Sequence, residues 1–135
     1  PAQLAGPCRP LDPAVREDAD KRIRHVATNV AETFGADAQV NIHRGYPVTM
    51  NHPDQTDFAI EVATTVSGRG KVNPDVAPVM GGEDFSYMLE ARPGAFIFMG
   101  NGDSAFLHHP EYDFNDDAIP HGVSYWVALA EKALA

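Results

Sequence analysis

The sequence predicts an α/β fold, and three observations carry the prediction. Beyond residue 50 the chain alternates helix-like and strand-like segments, as α/β chains do. Residues 95–100, "AFIFMG", form a continuous apolar run, the mark of a strand covered on both faces. Residues 11–34 and 116–134 carry apolar side chains at steps of three and four, the period of an amphipathic helix.

The first helix is expected over residues 11–34. Asp12 can cap it, Pro13 suits its first position, and Gly35 suits its stop. Val15, Ala19, Ile23, Val26, Val30 and Phe34 predict one buried face, with Arg16, Glu17, Asp20, Lys21 and Arg24 on the solvated side. In "ADAQVNIHRG" Val40 and Ile42 alternate with Gln39, Asn41 and His43, which predicts a half-buried antiparallel strand. "YPVTMNHP" breaks that pattern with two prolines and marks a domain boundary. A second helix follows over residues 53–66, with Phe58, Val62 and Val66 in register beside Ala59 and Ala63. "SGRGKVNPDVAP" reads as a loop and residues 76–80 as a short strand. Gly81 and Gly82 lead into a short helix over residues 83–90, which "RPG" stops. After the apolar run comes a loop over residues 101–113. The final helix, residues 116–134, has Pro120 in its first turn and Val123, Trp126, Val127 and Ala130 on its buried side. The first 46 or so residues make one half of a small α+β layer, and the remainder follows α/β order. Neither half has enough strands for a sheet of its own, so further sequence upstream is expected.

The 135 residues are 44% hydrophobic and 21% charged, ordinary for a soluble domain, with no run of about 18 apolar residues. Ten basic against nineteen acidic residues give a net charge of -9. Such a surface repels phosphate backbones and anionic lipid, so nucleic acid and membrane are excluded as expected partners. A single cysteine, Cys8, excludes an internal disulfide framework and fits a reducing compartment. "PAQLAGPCRP" lacks the basic and apolar regions of a secretory leader, and the expected location is the cytoplasm.

Two places can carry chemistry. In "VMGGEDFS" the glycines allow a turn or a close ligand approach, and free N–H groups at the following helix start can hold a carboxylate. Alternatively, Glu83 and Asp84 only complement the helix dipole. The spacing is not that of a nucleotide loop, nor is Ser86 in a serine-hydrolase elbow. His108 and His109 follow the apolar run, in the kind of loop where α/β proteins place their sites. Adjacent residues do not readily face one metal, so at most one is a ligand, with Asp103, Asp113 or Asp116 as partner for its other ring nitrogen. Two surface histidines beside a proline remain the alternative. His25, His43, His52 and His121 have no metal-site spacing.

"PVMGGEDFSYMLEARPGAFIFMGNGD" followed by "LHHPEYDFNDDAIPHGVSYWVALAEKAL" resembles the C-terminal end of bacterial metal-dependent amidohydrolases. That group comprises hippurate hydrolases, indole-acetyl-amino-acid hydrolases and N-acyl-amino-acid deacetylases, within the aminoacylase and carboxypeptidase-G-like metallopeptidases. "LDPAVREDADKRIRHVATNVAETFGADAQVNIHRGYPVTMNHP" is similar to the stretch just before it. The resemblance implies a fragment. Residues 1–48 are then the last helix and strand of an inserted α+β lid domain. Residues 49–135 are then the C-terminal part of a zinc-peptidase-like catalytic domain.

The resemblance further implies a dinuclear site holding two divalent ions, manganese or zinc. Its Leu-His-x-Pro motif maps onto "LHHP" and makes His108 a metal ligand, with His109 at the variable position. The other ligands and the general-base glutamate have no counterpart, so no catalytic residue is expected here. Cys8, in "GPCRP", stands where relatives commonly read Gly-Thr-Val-Arg and is not the metal cysteine; Arg9 matches the family arginine. Pro7 and Pro10 depart from that strand-like pattern. Gly81, Gly82, Glu83 and Asp84 are expected to line the pocket for a small N-acyl amino acid. The implied activity is amide hydrolysis by the whole enzyme and none by this stretch alone. A homo-oligomer through the lid or an open sheet edge fits the same reading. The rival is a non-catalytic remnant or interaction module that kept the fold.

Overall fold

The computed structural model describes residues 2–135. It holds four α-helices: α1 (Pro13–Thr33), α2 (Pro53–Ser67), α3 (Phe85–Ala91) and α4 (Ala118–Leu134). A 3-10 turn at Arg69–Lys71 follows α2. Contacts divide the chain into two units, one of residues 2–49 with Val79–Tyr87, the other of Met50–Pro78 with Met88–Ala135.

Among the described residues there is no strand, so the three expected strands are not formed. Residues 39–43, 76–80 and 95–100 are neither helical nor paired. A strand exists only through the N–H and C=O groups of a neighbour, and none of these segments lies in register with another. Side chains supply partners instead. The Asn51 amide donates to the Phe96 carbonyl at 2.8 Å and accepts from the Phe96 N–H at 2.7 Å. The backbone N–H of His52 donates to the Gly94 carbonyl at 3.0 Å, and its Nδ1 accepts the Gly94 N–H at 3.2 Å.

In the first unit α1 begins and ends as its sequence predicts. The Asp12 carboxylate accepts the N–H groups of Ala14 (2.7 Å) and Val15 (3.3 Å), and Pro13 occupies the first position. At the other end Gly35 takes φ 68°, a left-handed value that glycine adopts without a Cβ clash. Its N–H donates to the Glu32 carbonyl and the Ala36 N–H to the Ala31 carbonyl, both at 2.9 Å, which closes the helix as a Schellman motif.

The expected buried face of α1 is not formed. None of its residues is buried, and Val15, Ile23, Val26, Val30 and Phe34 are exposed, Phe34 to 82%. The polar side makes the contacts: Arg16 donates to the carbonyls of Tyr46 (3.1 Å) and Gly45 (3.4 Å), and Arg24 to that of Val40 (2.7 Å). Arg44 reaches back to Asp20 at 3.0 Å. The segment facing α1 thus presents backbone oxygens, which arginine can satisfy and valine cannot.

In the second unit α2 packs on α4. Ala59 and Val62 of α2, Leu89 of α3, and Ala118 and Tyr125 of α4 form its buried apolar core. Lys132 lies 5.3 Å from the Phe58 ring centroid and pairs with Glu61. The α2 face is the expected one. On α4 the inward face passes through Ala118 and Tyr125, while Val123, Trp126 (66%) and Val127 are exposed. Small residues explain the rotation: Ala118 and Gly122 let a neighbour come close, as Met99 does at Gly122, where a Cβ would lie 3.5 Å from its Cε.

No helix among the described residues is long and apolar enough to cross a membrane. The buried apolar residues of the described chain are few, so the core is thin.

Two expectations follow. Asp12→Ala should cost about 1 kcal/mol of helix stability and Asp12→Asn much less, read from helical circular dichroism during urea unfolding. Burial pushes the Tyr125 phenol above its ordinary value of 10.0. Its stabilising share is therefore complete below the unfolded-state value and is lost as pH rises through the folded-state one. Alkaline titration should unfold the α2–α4 pair at lower pH in the parent chain than in Tyr125→Phe.

Candidate functional site

The loop between the apolar run and α4 has a closed base. The Asn101 amide nitrogen donates to the Asp113 carbonyl at 2.8 Å, and its oxygen accepts the Asn115 N–H at 2.8 Å. The same nitrogen contacts the Ser104 hydroxyl at 3.0 Å. Gly102 turns the chain with φ 83°, where a Cβ would sit 3.2 Å from the Asn115 side-chain nitrogen. The Asn115 oxygen accepts the Asp117 N–H at 3.0 Å, leading into α4.

The two histidines lie at the far end of this loop and play different parts. The His109 N–H closes a turn on the Phe106 carbonyl at 3.0 Å, its Nδ1 accepts the Glu111 N–H at 3.1 Å, and its carbonyl accepts the Tyr112 N–H at 3.0 Å. Its ring is thus committed to the loop. His108 is exposed, and its ring has no hydrogen-bond partner among the described residues. Its φ is 68°, the one positive value at a non-glycine residue among those described. An L-residue pays about 1–2 kcal/mol for that conformation, and such strain gathers at functional sites. Asp103, Asp113 and Asp116 line a hollow together with Asn101 and Asn115, and none of them hydrogen-bonds to either histidine.

Gly81, Gly82, Glu83 and Asp84 belong to the first unit and His108 to the second. Helix α3 starts at Phe85, so both acids precede it rather than occupying its first turn. The Ser86 N–H donates to the Glu83 carbonyl at 3.2 Å and the Tyr87 N–H to that of Asp84 at 3.0 Å, which engages those two N–H groups. Ser86, fully buried, adds a hydroxyl bond to the Glu83 carbonyl at 2.5 Å. Tyr46 stands beside Gly82, at 3.4 Å from where its Cβ would be, and meets Tyr87 edge to face at 6.0 Å. Arg9 donates to the Met80 carbonyl at 2.6 Å, which brings it next to the glycine pair. Cys8 is exposed and free.

Sequence reasoning missed Asn101, Asn51 and His52. The signal at Asn101 is a lone amide between two glycines at a loop mouth, a residue type that bonds its own backbone surroundings.

The model of peptidase family M20/M25/M40 matches residues 8–132, and the chain belongs to that family. It is 32% identical over 126 residues to the hippurate hydrolase of Campylobacter jejuni, covering 93% of this chain and 33% of that protein. It is 32% identical over 137 residues to thermostable carboxypeptidase 2 of Saccharolobus solfataricus (97% and 34% covered). It is 30% identical over 123 residues to the N-acetyldiaminopimelate deacetylase of Streptococcus sanguinis (90% and 32% covered). The chain thus spans about a third of the length of these relatives. No solved structure matches it.

Among the described residues no three His, Cys, Asp or Glu side chains come together to hold a metal ion. A lone imidazole does not meet the three or four protein ligands such a site needs. The described residues therefore do not fit a metal centre by themselves.

Replacing His108 with glycine removes the left-handed strain without disturbing a ring contact. His108→Gly should stabilise the second unit by about 1 kcal/mol, whereas His108→Ala should not, as measured by urea unfolding of both variants.

Proposed function

We propose that this chain is part of a hydrolase of the amide bond in N-acyl amino acids, with hippurate-like compounds as substrates. One observation carries the reading. Within a chain of this family, "LHHP" holds His108 at a strained φ, exposed and with no ring hydrogen bond among the described residues, while the neighbouring His109 gives its Nδ1 to bracing the loop. Two of the relatives named above act, by their names, on an acylated amino acid.

In this reading residues 1–48 belong to a lid and residues 49–135 to the catalytic domain. Residues 39–43, 76–80 and 95–100 become strands when neighbours from the rest of the protein pair with them. Gly81, Gly82, Glu83 and Asp84 form a wall of the substrate pocket. The complete site takes two divalent ions, manganese or zinc, of which this chain contributes the single ligand His108. In this reading the chain presents one imidazole from a fixed backbone position, with no competing hydrogen bond among the described residues, and Gly81 and Gly82 let a substrate approach the backbone closely. The net charge of -9 argues against nucleic acid and anionic membrane as partners. A cytoplasmic enzyme that self-associates through its lid or an open sheet edge completes the proposal.

The test compares the 135-residue chain with the full-length protein that carries it. The chain alone, free of contaminating hydrolase, should release no benzoate from hippurate with manganese added. The full-length protein should hydrolyse hippurate or a related N-acyl amino acid, and its His108→Ala variant should lose at least about a hundredfold in kcat. A full-length His108→Ala enzyme as active as its parent would sink the assignment. A full-length protein inactive on every N-acyl amino acid would favour the non-catalytic module.

A further inference from the structure

We propose that Asn101 is a positioning residue: its carboxamide clamps the base of the loop that presents His108, and thereby sets where that imidazole stands. The inference rests on the functional reading above only for its kinetic arm.

The argument begins with what holds His108 in place. Its ring contacts no hydrogen-bonding partner among the described residues, so only the backbone fixes where it is placed. That backbone is determined at two levels. At the tip, the turn closed on the Phe106 carbonyl and the His109–Glu111 contact define the local conformation, with His108 at φ 68°. At the base, residues 101 and 113–115 are fastened by one side chain, which donates to Asp113 and accepts from Asn115, both at 2.8 Å. Among the described residues, Asn101 is the side chain whose hydrogen bonds reach from one end of the loop to the other.

The chemistry of the contact requires an amide. The side chain must donate to a carbonyl and accept from an N–H at once, which asparagine does with its nitrogen and oxygen, and aspartate or alanine does not. Gly102 lets the chain turn away immediately after the clamp, at φ 83°. The tip is braced only within itself, by the His109–Glu111 contact, so it moves with its base. A misplacement of about 1 Å at a reacting group can cost about a hundredfold in rate.

The experiment uses the full-length protein and its Asn101→Ala and Asn101→Asp variants. Aspartate keeps the acceptor for the Asn115 N–H and loses the donor to Asp113. Two quantities are read: amide hydrogen exchange of residues 102–115 against that of α2, and kcat and KM on hippurate. We expect exchange in the loop to rise at least tenfold in Asn101→Ala with α2 unchanged. We also expect kcat to fall ten- to a hundredfold with KM within threefold. Asn101→Asp should lie between, which guards against a variant that merely fails to fold.

Unchanged loop exchange overturns the proposal, and so does a loosened loop with parental kcat. Equal acceleration in α2 and the loop also overturns it, since the role would then be general stability. A parent protein with no amidohydrolase activity, or an active His108→Ala variant, counts against the functional reading instead. The clamp is then decided by the exchange measurement alone.

Discussion

Every backbone N–H and carbonyl takes a partner, in the protein or in water, and this chain carries several runs of backbone with no neighbouring strand to join. Polar side chains take over that duty throughout. Arg16 and Arg24 reach the carbonyls of residues 40–46, Arg9 reaches Met80, Asn51 brackets Phe96, His52 meets Gly94, and Asn101 ties Asp113 to Asn115. The contacts of α1 follow the same pattern. Its arginines reach the oxygens, and its valines are left in solvent.

How much of this could be read beforehand depended on whether the information was local. The ends of α1 were legible because Asp12, Pro13 and Gly35 act within a few residues of themselves. The inward face of α2 was legible because Ala59 and Val62 sit where its period puts them. Which side of α1 or α4 meets a neighbour was not, because that depends on what the neighbour presents. For α1 it was a row of carbonyls, and for α4 it was close approach at Ala118 and Gly122. The strands failed for a related reason. Apolar alternation states a willingness to be covered, while pairing requires a second segment in register.

The histidine pair shows the same division. Sequence spacing said that one of the two can serve as a ligand and left the choice to resemblance. The geometry separates them by use: His109 spends its Nδ1 on the Glu111 N–H, and the His108 ring has no hydrogen bond among the described residues. By contrast, the glycine pair is less open than its sequence suggested. Tyr46 stands beside Gly82, and the N–H groups that follow are taken by the carbonyls of Glu83 and Asp84.

The self-sufficient ends of α1 have a kinetic consequence. A helix of 21 residues with a side-chain cap at its start and a Schellman closure at its end needs little from the rest of the chain to form, and helices of that length relax in about a microsecond or less. The Asn101 clamp instead joins residues 12 and 14 positions apart and exists only once Asn115 has been added to the chain. During synthesis, then, α1 has its whole sequence well before the histidine loop does, and it can order ahead of the segment that presents His108.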